Sequence, residues 1–319
     1  MRSFPAAAGL IDGPFSVKAE RQFNCTRAEA IDYIGAMDTI HKLRFPIRAV
    51  LFATVFSHAA LAADKPAETA APKSPAAAPA AAPAAGATTA TWWGHAAWVI
   101  TTPGGATIAI DPWLDNPSAP KIEHPKALDA ILVTHGHFDH VGNAAELAKK
   151  TGAKLITSFE LASLIGAPNS EGMNVGGTTT VKDATIHLVE AVHSSGFGQD
   201  KAGPKYSGPA MGFVIEVAKG PTIYHAGDTD VFSSMSLIAE RYHPTTALLP
   251  IGGHFTMDPA GAALASKLLK VKIVVPMHYG TFPALAGTPE QLREALKKGH
   301  GTAKVVEFVP GEPQTLTLK

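Results

Sequence analysis

Cysteine is nearly missing from this 319-residue chain, and the single copy, Cys25, lies far upstream of the segment that carries every informative motif. From about residue 90 onward, neither a disulfide nor a thiolate metal ligand can form. An excess of charge of one sign is missing as well. Lys and Arg number 27, as do Asp and Glu, so no net field draws the chain to nucleic acid or an anionic membrane. The apolar run Ala49 to Phe56 is too short for the ~20 residues that a bilayer-spanning helix takes. Between Ala63 and Ala90 there is almost nothing to bury, because the segment is built almost entirely from Ala, Pro, Lys, Glu and Thr.

These shortages divide the chain. Lys42, Arg44 and Arg48 precede the apolar run, and Ala60-Leu61-Ala62 follows it. A basic start, a short apolar core and a small-x-small site are the parts of a secretory signal peptide. Residues 37–62 are therefore expected to be a signal peptide, with Met37 where such a signal begins. Residues 1–36 then read as a mis-assigned upstream start or an extension, and a genuine extension with an uncleaved anchor is the alternative. Residues 63–90 read as an Ala/Pro-rich disordered linker. Residues 91–319 are long enough for one well-filled domain. The expected location is the periplasm or the exterior, with no stable membrane anchor after cleavage.

What is there is concentrated. Thr134-His135-Gly136-His137-Phe138-Asp139-His140 sets three imidazoles and a carboxylate directly after the apolar run Ala130 to Val133. Neutral imidazoles and ionised carboxylates are preferred ligands of first-row divalent metals. Crowding them together without a cation is costly, because buried polar groups need partners. Further ligand types close three more strand-like runs: His193 after Ala184 to Glu190, Asp228 after Thr222 to Tyr224, and His278 after Lys272 to Val275.

With this series the chain resembles the metallo-β-lactamase superfamily from about Thr91 to its C-terminus. Trp93-Gly94-His95, Ile110-Asp111-Pro112, Tyr224 to Thr229, Leu249 to Met257 and Pro276 to Tyr279 resemble a narrower branch, the small metal-dependent hydrolases similar to ascorbate-6-phosphate lactonase. The resemblance implies an α+β fold, a four-layer αββα sandwich with the metal site along one edge of its two sheets. It also implies two divalent ions. His135, His137 and His193 would hold the first, Asp139, His140 and His278 the second, and Asp228 would bridge them. Zinc suits such a set, and manganese is its main rival.

The residues around this set carry paired readings. Asp111 follows a strand and either orients a ligand histidine or makes a turn before proline. His95 either contacts substrate or a ligand, as the resemblance implies, or is a core-edge histidine between Trp93 and Trp98. His254, beside Gly252 and Gly253, is expected to touch substrate or donate a proton, and Asp139 is expected to be catalytic. His225 and Tyr279 read as supports or packing residues. His124, His187, His243 and His300 read as surface or sheet residues. Ser194 to Pro209, with Lys201, Lys205 and Tyr206, is either a loop over the site or a solvated connection.

Regular structure is predicted between the motifs. Strands are expected over Trp92 to Thr101, Ala106 to Ile110, Ala130 to Thr134, Ala184 to Glu190, Met211 to Val217, Thr222 to Tyr224, Ala247 to Leu249, Lys272 to Val275 and Val305 to Val309. Helices are expected over Asn143 to Lys150, over Pro259 to Lys270, and from the capping box Thr288-Pro289-Glu290-Gln291 through Lys298. The expected activity is hydrolysis of an ester- or lactone-like small molecule by a metal-activated hydroxide. A phosphodiesterase is the runner-up, and a metal-binding or sensing protein without turnover is the alternative of another class. A nuclease would need an extra domain and a basic groove. Asp228 stands where some β-lactamases of this fold carry cysteine, and a diiron flavoprotein would carry a flavin domain.

Overall fold

The computed structural model describes residues 86–121, 125–198, 201 and 203–316. The expected leader, most of the linker, Cys25 and His124 lie outside them. Among the described residues, no helix is long and apolar enough to cross a membrane.

The first sheet opens with an antiparallel meander of Thr89–Trp92 (β1), Trp98–Thr101 (β2) and Thr107–Ile110 (β3). The sequence suggested one continuous run over Trp92 to Thr101. Instead the chain reverses at Gly94 (φ +87°), with Trp93 N–H donating to the Ala97 carbonyl at 2.7 Å. The reversal lets Trp92 and Trp98 stack at 5.9 Å and face the same core, and it puts His95 in the turn. β1 also begins inside the stretch read as linker, because Ala90 is buried in that core.

Parallel strands extend this sheet. Ala130–Leu132 (β4) is followed by helices Phe138–Val141 (α1) and Ala144–Thr151 (α2). Lys154–Ser158 (β5), helix Phe159–Ile165 (α3) and Ser170–Met173 (β6) come next. The pattern of β6, Ser-Glu-Gly-Met, has no apolar alternation, so it was silent as a strand. It forms because its backbone pairs with β5.

The second sheet mirrors the first. Thr178–Val181 (β7) and Ala184–Glu190 (β8) are antiparallel, and a small ribbon of Gly196–Phe197 (β9) and Lys205–Tyr206 (β10) follows. Met211–Val217 (β11) and Thr222–His225 (β12) complete the antiparallel half. Helix Met235–Tyr242 (α4), Thr246–Pro250 (β13), helix Pro259–Leu268 (α5) and Ile273–Met277 (β14) follow. Helix Pro289–Ala295 (α6) opens with the expected capping box at Thr288 and Gln291. Lys304–Val305 (β15) then joins the parallel half. The last strand, Pro313–Thr315 (β16), returns to pair with β1. Among the described residues, each of the two large sheets has seven strands, in the orders β16-β1-β2-β3-β4-β5-β6 and β15-β14-β13-β12-β11-β8-β7.

Three apolar clusters define the layers. Trp98, Ile108, Leu132, Ile186, Phe213 and Met277 belong to a core that draws on both sheets. Val214, Leu249 and Val274 face α4 to α6, while Ile131 and Leu155 face α2 and α3. This is the four-layer αββα sandwich, with strands feeding both faces of each sheet as layered folds require. Truncating a fully buried residue such as Leu132 to alanine costs about 2–5 kcal/mol. That residue also anchors the turn carrying His135, three positions on.

Candidate metal centre

The site grows from the ends of strands. Past β4, Thr134 is held by Asp111, whose Oδ1 accepts its N–H at 2.8 Å and whose Oδ2 accepts its hydroxyl at 2.7 Å. The chain then turns through His135, Gly136 and His137 into α1, a single helical turn that carries Asp139 and His140 on its inner side. Gly136 is required by close approach: a Cβ there would overlap the Ser207 hydroxyl, and its N–H donates to Ser195 Oγ at 3.1 Å. His193 follows β8 in a loop stitched to the Asp228 turn, with Val192 N–H donating to Thr229 Oγ1 at 2.9 Å. Gly227, at φ +61°, lets that turn press against Thr134, 2.8 Å from where a Cβ would stand. His278 follows β14, and its N–H donates to the His95 carbonyl at 3.0 Å.

All seven expected ligands converge. His135, His137 and His193 present ring nitrogens within 4.8 Å of one another, and a carboxylate oxygen of Asp139 lies equally close to ring nitrogens of His95, His140 and His278. Asp228 lies at the junction. Its Oδ2 is 3.1 Å from His278 Nε2, 3.3 Å from His140 Nε2 and 3.6 Å from His193 Nε2. His137 Nδ1 is 2.9 Å from His135 Nε2 and 3.3 Å from His193 Nε2.

A supporting layer fixes tautomers. His140 Nδ1 donates to Asp111 Oδ2 at 2.8 Å, which turns Nε2 inward. His135 Nδ1 is 3.0 Å from Thr134 Oγ1, whose own proton goes to Asp111, so His135 Nδ1–H is the donor and Nε2 also faces in. The orienting reading of Asp111 therefore holds. It is fully buried, at a left-handed φ of +44°, a conformation retained at functional sites where the surroundings enforce it. His95 Nε2 lies 3.0 Å from Asp139 Oδ2, and its Nδ1 lies 3.0 Å from Thr281 Oγ1. His95 thus contacts Asp139, one of the expected ligands, and is more than a core-edge histidine. His225 braces the Asp228 turn, accepting from Gly227 N–H at Nδ1 and donating from Nε2 to the Ala96 carbonyl. Tyr279 stacks on Trp92 at 5.6 Å as a packing residue.

Charge in the site follows from burial and neighbours. Burial lowers the pKa of His135, His137 and His193 and takes His95 to about 4, so these rings are neutral at neutral pH. Burial opposes ionisation of Asp139 and Asp228. Nearby histidines outweigh it, His140 foremost, and hold Asp139 at about 2 and Asp228 well below the usual carboxylate range. Since Asp139 is ionised, His95 Nε2–H must be the donor and Thr281 the donor to Nδ1. Burial alone would deprotonate His140, but Asp228, Asp111 and Asp139 hold its pKa well above 6.5. Three carboxylates thus call for positive charge at this point.

The donor set fits metal ions. His140 Nε2, Asp228 Oδ1 and both ring nitrogens of His278 are buried without a hydrogen-bond partner. Each such group costs about 1–3 kcal/mol if left unsatisfied. Nitrogen and oxygen donors without thiolate are what zinc or manganese accept.

A cleft of about 870 Å³ opens over the ligands, lined by His137, Asp139, His193, Asp228 and His278 at its floor. His254 is not part of it. The turn after β13 directs Phe255 into the cleft and leaves His254, at φ +60°, on the wall of a neighbouring cavity with Asp258 and Lys298. The close approach expected of the paired glycines exists, but it brings Gly252 against the His278 carbonyl. In the β9–β10 segment, Ser194, Gly196 and Pro204 line the cleft, whereas exposed Lys201, Lys205 and Tyr206 do not. His187 lies in sheet β8 against Tyr242, and His243 caps α4. Sequence reasoning did not identify Thr281, Phe255 or Phe282, because no local pattern marks a loop residue that meets the site only in space.

Comparison with known proteins agrees with this geometry. The Beta-lactamase superfamily domain matches residues 89–278. A UPF0173 metal-dependent hydrolase of Myxococcus xanthus is 57% identical over 88% of this chain and 100% of its own length. A second, from Koribacter versatilis, is 44% identical over 70% of this chain and 95% of its own. Among solved structures, Igni18, a metallo hydrolase of the archaeon Ignicoccus hospitalis, is 37% identical with a TM-score of 0.64, covering 73% of this chain and 99% of that one. With its αββα sandwich and its converging histidines and aspartates, the chain belongs to the metallo-β-lactamase superfamily and, within it, to the metal-dependent hydrolases.

Proposed function

We propose that the protein hydrolyses an ester- or lactone-like bond in a small molecule at a two-metal centre. In this reading His135, His137 and His193 hold one divalent ion, Asp139, His140 and His278 hold the other, and Asp228 is shared. Zinc is the default and manganese the rival. When bound, such ions would lower the pKa of a water to about 7 and would stabilise charge on the attacked oxygen.

The residues of the chain do the rest. Asp111 and Thr134 hold protons on the outer nitrogens of His140 and His135, so their inner lone pairs stay available. His95 donates to one oxygen of Asp139 and sets the angle of that carboxylate at the cleft floor. Hydrolysis adds water across the acyl C–O bond: the oxygen joins the carbonyl carbon, and the departing oxygen takes a proton.

One observation carries the proposal, namely that Asp228 Oδ2 sits within 3.6 Å of histidines from both groups. The test is elemental analysis of protein purified without added metal, followed by turnover of esters and lactones. Two equivalents of metal per chain with turnover are expected, and Asp139→Ala should lose turnover. Stoichiometric metal with no hydrolysis of any ester, lactone, phosphodiester or β-lactam would instead favour a binding or sensing role.

A further inference from the structure

The walls of the cleft differ sharply from its floor. Phe138 opens α1 and is 50% exposed, and Phe255 is 56% exposed on the turn after β13. Phe282 and Pro283 come from the loop after β14, and Pro204 from the ribbon side. Leaving large aromatic rings in water is unfavourable by about 25 cal/mol per Å², and a contiguous apolar patch beside a polar site marks a ligand surface.

This wall is held in place rather than loosely arranged. Trp113 lies between two of the rings, edge-on to Phe138 at 5.5 Å and stacked on Phe282 at 6.0 Å, and it also meets His95 edge-on at 5.3 Å. The aromatic surface is thereby tied to the same residue that orients Asp139.

Cationic side chains are what the walls lack. Among the described residues that line the cleft there is no lysine or arginine, and the only ionisable groups are those of the metal-ligand set. Lys201 and Lys205, on the nearby ribbon, are exposed and outside the lining. A phosphate, sulfate or carboxylate carried away from the scissile bond would lose hydration there without gaining a paired donor.

We infer that the substrate carries an uncharged alkyl or aryl acyl group, seated on Phe138, Phe255 and Phe282, and that these rings set specificity. This rests on the reading of the site as a hydrolytic two-metal centre and adds the substrate class. It argues against a phosphorylated lactone and against a phosphodiester.

The test compares two ligands with one metal-binding head group. Acetohydroxamic acid and 4-phenylbutyrohydroxamic acid are titrated by calorimetry into the zinc-loaded full chain. Each buried methylene is worth about fourfold in affinity, so the arylalkyl compound should bind at least about tenfold more tightly. Phe255→Ala should erase most of that gain while lowering acetohydroxamate affinity far less, so that the ratio of the two affinities collapses toward one. In parallel, kcat/KM is measured for p-nitrophenyl acetate and p-nitrophenyl hexanoate, with the longer ester expected to be preferred. Equal affinity for the two hydroxamates, or tighter binding of a phosphonoalkyl hydroxamate, overturns the inference. An apolar binding preference without turnover of any ester or lactone keeps the inference and sinks the hydrolytic reading. Equal turnover of both esters with equal binding does the reverse.

Discussion

Asp111 Oδ2 accepts the Nδ1 proton of His140 at 2.8 Å with both side chains fully buried, although 29 residues separate them. The same carboxylate accepts from Thr134 twice. Three donors therefore converge on a group that must act only as an acceptor.

Asp111→Asn keeps the shape and breaks that rule. Whichever way the amide is flipped, its NH₂ meets a donor, leaving a buried donor unpaired at a cost of about 1–3 kcal/mol. With the NH₂ on the Oδ2 side, His140 also loses the acceptor that orients it. Metal affinity is expected to fall about 10–100-fold, read by competition with a chromogenic chelator, while circular dichroism shows the fold retained. Unchanged affinity would mean that His140 is positioned by something else.

Metal removal should soften the domain. Ligand binding to the folded state at a thousandfold excess over Kd adds about 4 kcal/mol. For a domain of this size that corresponds to a rise in Tm on the order of 10 °C. A chelator should therefore lower Tm by this order and zinc should restore it. A Tm indifferent to chelation would count against a metal site built from these residues.

The metal-free protein should also lose stability on acidification. Burial lowers the pKa of His95, His135, His137, His193 and His225 below the usual 6.5. Below that value the unfolded chain takes up protons that the folded chain refuses, so stability falls as pH falls. His140, with its raised pKa, acts oppositely, contributing stability below 6.5 that is lost as pH rises through its folded value. One such group against five leaves the net sign unchanged. Urea midpoints of metal-free protein should drop between pH 7.5 and 5, whereas a rise would reverse the assignment.

Gly136→Ala probes the close approach at the ligand turn. The added methyl overlaps the Ser207 hydroxyl and comes within 3.1 Å of the Gly196 backbone, and overpacking of this kind costs about 1–3 kcal/mol. Displacing the turn should weaken binding at His135, His137 and His193. Pairing it with Ser207→Gly should restore most of the metal affinity, measured by the same competition assay. Failure of the rescue would show that the Gly196 backbone, and not the Ser207 hydroxyl, limits the space at this turn.

Much of the sandwich was legible in advance because its signals are local. From Ala184 to Leu188 the strand alternates buried and half-buried residues, and the capping box at Thr288 forms as written. Helices α3 and α4 were silent because each spans only about two turns, too few for an apolar helical period to stand out from its surroundings. β6 was silent because its stability comes from a neighbour strand and not from its own residues.

By itself the sequence determined the ligand types and their places at strand ends, since an H-x-H-x-D-H string after an apolar run needs only local chain geometry to present its donors. Tertiary structure decided the rest. It chose the orienting role for Asp111, linked His95 to Asp139 across 44 residues, and turned Phe255 rather than His254 toward the cleft. It also gathered Phe138, Phe255 and Phe282 into one wall. The reason is physical: hydrogen-bond partners and cleft walls depend on distances of a few ångströms between segments far apart in the chain, and those distances exist only once both sheets have closed on their shared core.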